Sequence, residues 1–269
     1  MPTLATNKQH WDTYDWPQGG DEWSAAWGGS QYVWSAVLLP RLLPFLPAGT
    51  VLEIAPGFGR WTQYLKDLCE RMILVDLAAQ CIDACQKRFA GATHITFHVN
   101  DGMSLDCVPE RSIDFVFSYD SLVHAEAPVL QSYLRQLAGK LTPDGVGFIH
   151  HSNLAAIAEV RPGEPPPDLH WRAHDMSAAR FVEYCTAAGL QCIAQETIDW
   201  GGYPRLDCFS VFTLPGSRFA RPLRTIDTTT FMAEAERLRT LADLYGGGPP
   251  TPAPAPGLWS RVRRWLRRA

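Results

Sequence analysis

Residues 51–60, VLEIAPGFGR, constrain this 269-residue chain more than any other stretch. Residues 51–54 have the composition of a short buried strand carrying one acid, Glu53. Pro56, Gly57, Phe58 and Gly59 make a glycine-rich turn, and a helical pattern is expected from Arg60 and Trp61 onward. Glycine lacks a Cβ, so the backbone can turn sharply and a ligand can lie against the main chain. Strand, glycine turn and helix together open a nucleotide-binding βαβ unit.

The same rhythm continues downstream. Residues 72–77 (MILVDL) form a second buried strand that brings Asp76 to its end, and a helix is expected over 78–90. Residues 94–99 form a third strand before Asn100, Asp101 and Gly102, and 113–118 (IDFVFS) a fourth before Tyr119 and Asp120. Pro128 suits the first turn of a helix running to Lys140, since its missing N–H costs nothing there. A turn at 142–145 then leads into a fifth strand, 146–150. Ser177 is placed to cap a helix that Gly189 stops. Residues 191–200 and 207–214 have no helical segment between them and are expected to be an antiparallel pair. Strands alternating with helices mean a doubly wound, mostly parallel sheet. Ligands of such sheets bind outside the carboxyl ends of the strands, near the point where strand order reverses. That rule selects Gly57, Gly59, Asp76, Asp101, Tyr119, Asp120, His150 and His151.

Composition narrows the partners. Five arginines fall within the last nine residues, so the body of the chain is more acidic than its net charge of −4 indicates. An acidic body disfavours nucleic acid as a partner. No run of about 18 apolar residues exists, and the N-terminus lacks a secretory pattern. Seven scattered cysteines with no CxxC pair suggest neither a disulfide framework nor a zinc site. A cytoplasmic location is expected, with buried, reduced cysteines.

The ligand is narrowed by what is missing. From Gly57 the chain reads GFGRWT, so threonine stands where a dinucleotide fingerprint has its third glycine. A phosphate-cradling GxxxxGK[ST] is absent. The chain resembles the class I S-adenosylmethionine (SAM)-dependent methyltransferases. The matching motifs are Glu53-x-Ala55-Pro56-Gly57-x-Gly59, Asp76 ending strand two, Asn100-Asp101-Gly102 after strand three, and IDFVFSYDSLVH at 113–124. They cover residues 48–215. The resemblance implies a Rossmann-like seven-stranded sheet with an antiparallel final pair, and SAM as cofactor. It implies Asp76 on the ribose hydroxyls and Asp101 on the adenine amino group, with Gly102 and Met103 beside the ring. Glu53, Ala55, Gly57 and Gly59 would surround the amino-acid end, with Leu77 and Tyr119 completing the set. An NAD-dependent oxidoreductase and a non-catalytic SAM-binding module are the rival readings.

Five domains or segments are expected. Residues 1–48 form a tryptophan-rich arm or lid, 49–215 the SAM-binding domain, 216–245 a helical extension, 246–257 a Pro/Gly linker and 258–269 a basic amphipathic tail. Apolar residues at 258, 259, 262, 265 and 266 share one helical face, which suggests a peripheral contact with the inner membrane surface.

The acceptor is sought among groups near the methyl. A hydroxyl acceptor must lose its proton, a task suited to histidine near neutral pH. His124 follows strand four, and His150 and His151 end strand five. Neighbours on a strand face opposite ways, and His151 is preferred over His150 for facing the cleft. Asp120 could orient a histidine; no metal is expected. Trp27, His150, Arg172 and His174 are the candidate acceptor contacts. No [DN]PP[YFW] motif follows strand four, which further disfavours nucleic-acid amino groups. The first expectation is O-methylation of a sugar hydroxyl on a glycan or natural product, with N-methylation of a small molecule as the alternative.

Overall fold

The computed structural model describes residues 2–160 and 171–246. The Pro-rich stretch at 161–170, the Pro/Gly linker after residue 246 and the basic tail at 258–269 lie outside the described residues. The membrane-surface reading of the tail therefore stands on sequence alone.

An eight-stranded sheet forms the frame, in the order β3-β2-β1-β4-β5-β7-β6-β8. Its strands are β1 (Ala48–Ile54), β2 (Cys69–Asp76), β3 (Ile95–Val99), β4 (Ile113–Ser118), β5 (Leu141–Ser152), β6 (Gln191–Trp200), β7 (Tyr203–Thr213) and β8 (Arg224–Thr228). Neighbours pair in parallel except where β7 runs antiparallel between β5 and β6. The expected seven strands become eight. The extra one, β8, is a short edge strand with an almost wholly exposed surface, so no apolar run announces it. The turn expected at 142–145 is instead the start of β5, entered through a register shift against β4.

The helices are α1 (Leu4–Thr13), α2 (Ser30–Tyr32), α3 (Leu39–Leu42), α4 (Thr62–Leu65), α5 (Ala79–Arg88), α6 (Ala127–Lys140), α7 (Leu154–Val160), α8 (Ala178–Ala187) and α9 (Phe231–Gly246). A π-helical stretch, Val33–Leu38, joins α2 to α3. The helix expected after the glycine turn shrinks to the single turn of α4. Trp61, Tyr64, Leu65 and Leu68 are all buried, so their spacing reflects burial on several sides, and β2 already begins at Cys69. Helix α7 follows β5 directly after Asn153. Ser177 caps α8 as expected, its hydroxyl accepting from the Arg180 N–H, and Gly189 follows with φ +76°.

Each face of the sheet carries an apolar layer. One is built on Trp34, Trp61, Phe117 and Phe209, the other on Leu52, Val116, Leu134 and Phe181. Strand order reverses between β1 and β4, so the loops after these two strands diverge and leave a crevice. The arm closes that crevice. Leu4 N–H donates to Glu126, Asn7 Nδ2 to the His124 carbonyl, and Lys8 Nζ to the Leu77 carbonyl. Asp12 Oδ1 accepts from the Ala79 N–H at 3.1 Å, capping the N-terminus of α5 from a distant part of the chain.

No helix among the described residues is long and apolar enough to cross a membrane.

Candidate active site

A cavity of about 400 Å³ opens at the carboxyl ends of β1, β2 and β4, roofed by the arm. One half is suited to a nucleoside. Asp76 sits at its wall, 5% exposed, with Ala55, Gly57, Leu77 and Gly102 around it. Asp76 Oδ2 accepts from Gly57 N–H at 3.1 Å and Oδ1 from Ala78 N–H at 2.9 Å. Burial pushes its carboxyl up to about 6, against the opposing pull of those N–H groups. A carboxylate has about four lone-pair sites, so the two oxygens retain capacity for a diol.

The glycine turn takes left-handed backbone that glycine adopts without steric cost. Gly57 has φ +56°, and a Cβ there would stand 2.8 Å from the Trp16 ring, itself stacked on Phe58. Gly59 has φ +81°, and a Cβ there would meet Phe89 at 2.4 Å. Gly59 therefore lies behind the turn, against the core, while Gly57 fronts the cavity. Glu53 also lies behind it, 1% exposed and off the cavity wall. Its Oε2 accepts from Thr62 Oγ1 at 2.6 Å, and burial pushes its carboxyl up to about 8. Glu53 is thus largely a neutral acid near pH 7 that fixes the turn to α4.

Three other expected cofactor residues take different places. Asp101 is exposed, and its Oδ1 accepts from the N–H groups of Met103 and Ser104, which hold its carboxyl below the usual range. It shapes the loop that presents Gly102, and Gly102 is the member of that loop that reaches the cavity. Met103 lies off the wall, its carbonyl taken by Ser132 and Gln136. Tyr119 is 2% exposed beneath the site, edge-on to Trp61, because it still follows the pleat of β4 into the core.

The other half of the cavity is aromatic and charged. Trp11, Trp16 and Trp23 come from the arm, Trp171 and Trp200 from the far side. His124 lines this half. Its Nδ1 stands 2.8 Å from the Trp171 carbonyl, which can only accept, so Nδ1 carries the proton. Nε2 makes no hydrogen bond among the described residues. Burial, and then the Arg172 charge, pushes the ring down to about 4, leaving it neutral at pH 7.

Asp120, at φ +60°, begins a network of buried charges. It accepts from Arg60 Nη2 at 2.9 Å, and its main-chain N–H donates to His150 Nδ1 at 3.1 Å. His150 Nε2 lies 3.2 Å from Asp207 Oδ2. Arg172 Nε and Nη2 grip Asp207 at 3.1 and 2.7 Å. Burial alone would raise Asp207, but Arg172 and His150 hold its carboxyl well below the carboxylate range. Arg172 lines the cavity, yet its guanidinium is committed to Asp207.

His151 does not face the cleft, and that expectation is corrected. Alternation along β5 sends it to the opposite layer, where it stacks on Phe181 at 4.5 Å and pairs Nε2 with Ser210 Oγ. His150 is on the near layer but fully buried beneath Asp120. Trp27 is a core residue packed on Trp200 and Phe231, and His174 is half-buried away from the cavity wall. Sequence reasoning missed His10, Arg60 and Asp207. His10 packs on Trp171 at 4.3 Å from the arm, and only the tryptophan density there hinted at a site. Arg60 directly follows the glycine motif and gave no signal of its own.

Residues 51–145 match the model of a methyltransferase-domain family. Among solved structures the fold is similar to DhpI in complex with SAH, at 23% identity and a TM-score of 0.52, over 79% of this chain and 95% of that one. It is similar to PH0226 from Pyrococcus horikoshii, at 18% identity and a TM-score of 0.57, over 77% and 99%. A SAM-dependent methyltransferase from Leishmania major shares it at 13% identity and a TM-score of 0.56, over 78% and 82%. No curated protein matches the chain.

Proposed function

We propose that this chain, a class I SAM-dependent methyltransferase by its domain at 51–145, methylates a hydroxyl of a small molecule, in the first instance a sugar, with His124 as general base. One observation carries the reading. His124 is a neutral, cavity-lining imidazole whose Nδ1–H is spent on a carbonyl, so Nε2 is the ring's basic atom. SAM supplies an electrophilic methyl on a sulfonium. Asp76, Gly57, Leu77 and Gly102 hold its nucleoside in the half of the cavity suited to one, and the acceptor takes the aromatic half.

In that half the tryptophans offer broad apolar faces with N–H donors at their edges, matching a sugar ring that has a C–H face and a hydroxyl rim. Arg60 and Arg172 are balanced by Asp120 and Asp207, so the wall is polar without a strong net charge. A base with a pKa near 4 suffices here, because an oxygen that has gained a methyl is a far stronger acid than the free hydroxyl. Nε2 takes that proton as the bond forms.

The test is methyl transfer from SAM carrying a 13C methyl to panels of sugars, phenols and amines, with the product located by NMR. An O-methyl signal on a sugar supports the proposal. An N-methyl product sinks the hydroxyl assignment, and full activity in His124→Ala sinks the base.

A further inference from the structure

The His124 ring is held by a second layer of residues that the proposed reaction does not itself use. Trp171 has φ +59°, the left-handed region, where a non-glycine residue stays only if its surroundings impose it. Three contacts hold the two residues that follow it. Arg172, the next residue, is clamped to Asp207 through Nε and Nη2 and lies over the Trp200 ring at 5.0 Å. Ala173 N–H donates to the Val123 carbonyl at 2.9 Å, tying the loop to the residue before His124. Ser152 Oγ donates to the Ala173 carbonyl at 2.7 Å. Beside these anchors the Trp171 carbonyl meets His124 Nδ1 at 2.8 Å.

We infer that the Arg172–Asp207 pair and the left-handed Trp171 backbone are positioning residues that lock His124 in the Nδ1–H tautomer, with Nε2 left as the proton acceptor. This rests on the reading of His124 as base. A neutral imidazole in water prefers its proton on Nε2, the form that could not accept a proton at that atom. The tautomer is thus set by the second layer rather than by the ring. Arg172 acts through the carbonyl of its neighbour and not through the acceptor. Asp207, two strands away on β7, acts through Arg172.

The experiment is 15N–1H correlation NMR of the histidine rings in the full-length, SAM-free protein at pH 7. The His124 signals are assigned by their disappearance in His124→Gln. The expected wild-type pattern is a protonated Nδ1 and an unprotonated Nε2. Arg172→Lys and Asp207→Asn are expected to shift His124 toward the Nε2–H form, while the SAM dissociation constant by calorimetry stays within about twofold. An Nε2–H signal in the wild type overturns the inference with no variant needed. An unchanged Nδ1–H pattern in either folded variant overturns it as well. Loss of the base reading would show separately, as activity surviving in His124→Ala while the wild-type protein keeps the Nδ1–H pattern.

Discussion

Asp76 Oδ2 accepts the Gly57 main-chain N–H at 3.1 Å, so the tip of β2 holds the turn that follows β1. One carboxylate therefore shapes the loop and lines the cavity it frames. Replacing Asp76 with Asn puts an amide where one of two N–H donors needs an acceptor. Asp76→Asn is expected to weaken SAM binding at least about tenfold, or roughly 1.4 kcal/mol. Calorimetric titration checks it, and an unchanged dissociation constant would remove Asp76 from the site.

Glu53 offers a test by pH. Its folded carboxyl is raised from 4.5 to about 8, so the folded state binds more protons than the unfolded state between those values. That contribution to stability is complete below about 4.5 and is lost as pH rises through 8. His124 and His151, both lowered to about 4, act in the opposite sense between 4 and 6.5. The difference between wild type and Glu53→Gln isolates the acid. The variant should gain relative stability with rising pH, approaching about 1.4 kcal/mol per pH unit mid-window. Denaturant titrations at pH 5, 6, 7 and 8 measure it; parallel curves would refute a raised Glu53.

Gly59→Ala forces a Cβ to 2.4 Å from the Phe89 ring at φ +81°. Strain and overpacking together predict a loss of about 2–4 kcal/mol. Chemical denaturation without SAM reads this directly, and a midpoint equal to wild type would contradict it.

Asp12→Ala removes the cap that the arm places on α5 and the Lys8 ion pair with it. Hydrogen exchange over residues 4–13 should accelerate several-fold, with a stability loss of no more than about 1–2 kcal/mol. Equal protection in both proteins would show that the arm is held by its other contacts alone.

The sheet could be read from sequence because parallel strands buried on both faces appear as short apolar runs, as at 72–75 and 115–117. Strand β8 could not, because an exposed five-residue edge carries no such run. Asp76 and Gly57 were legible because both lie within a local strand–turn spacing. His151 was misplaced because alternation fixes which neighbours diverge, not which of them faces the cleft. Arg172 and Asp207 stand 35 residues apart and meet only through the return of β7, a contact with no local pattern. His10 and Trp11 reach the cavity on an arm folded back over the sheet, and the arm's own sequence does not state where it lands.

The lining of the cavity carries an optical property. Indole emission shifts with the polarity and charge around the ring, and Trp11, Trp16, Trp171 and Trp200 all line the same cavity. Entry of a sulfonium or of an acceptor changes the surroundings of several indoles at once. The native protein is in that sense its own fluorimeter, able to report occupancy of either half without a label.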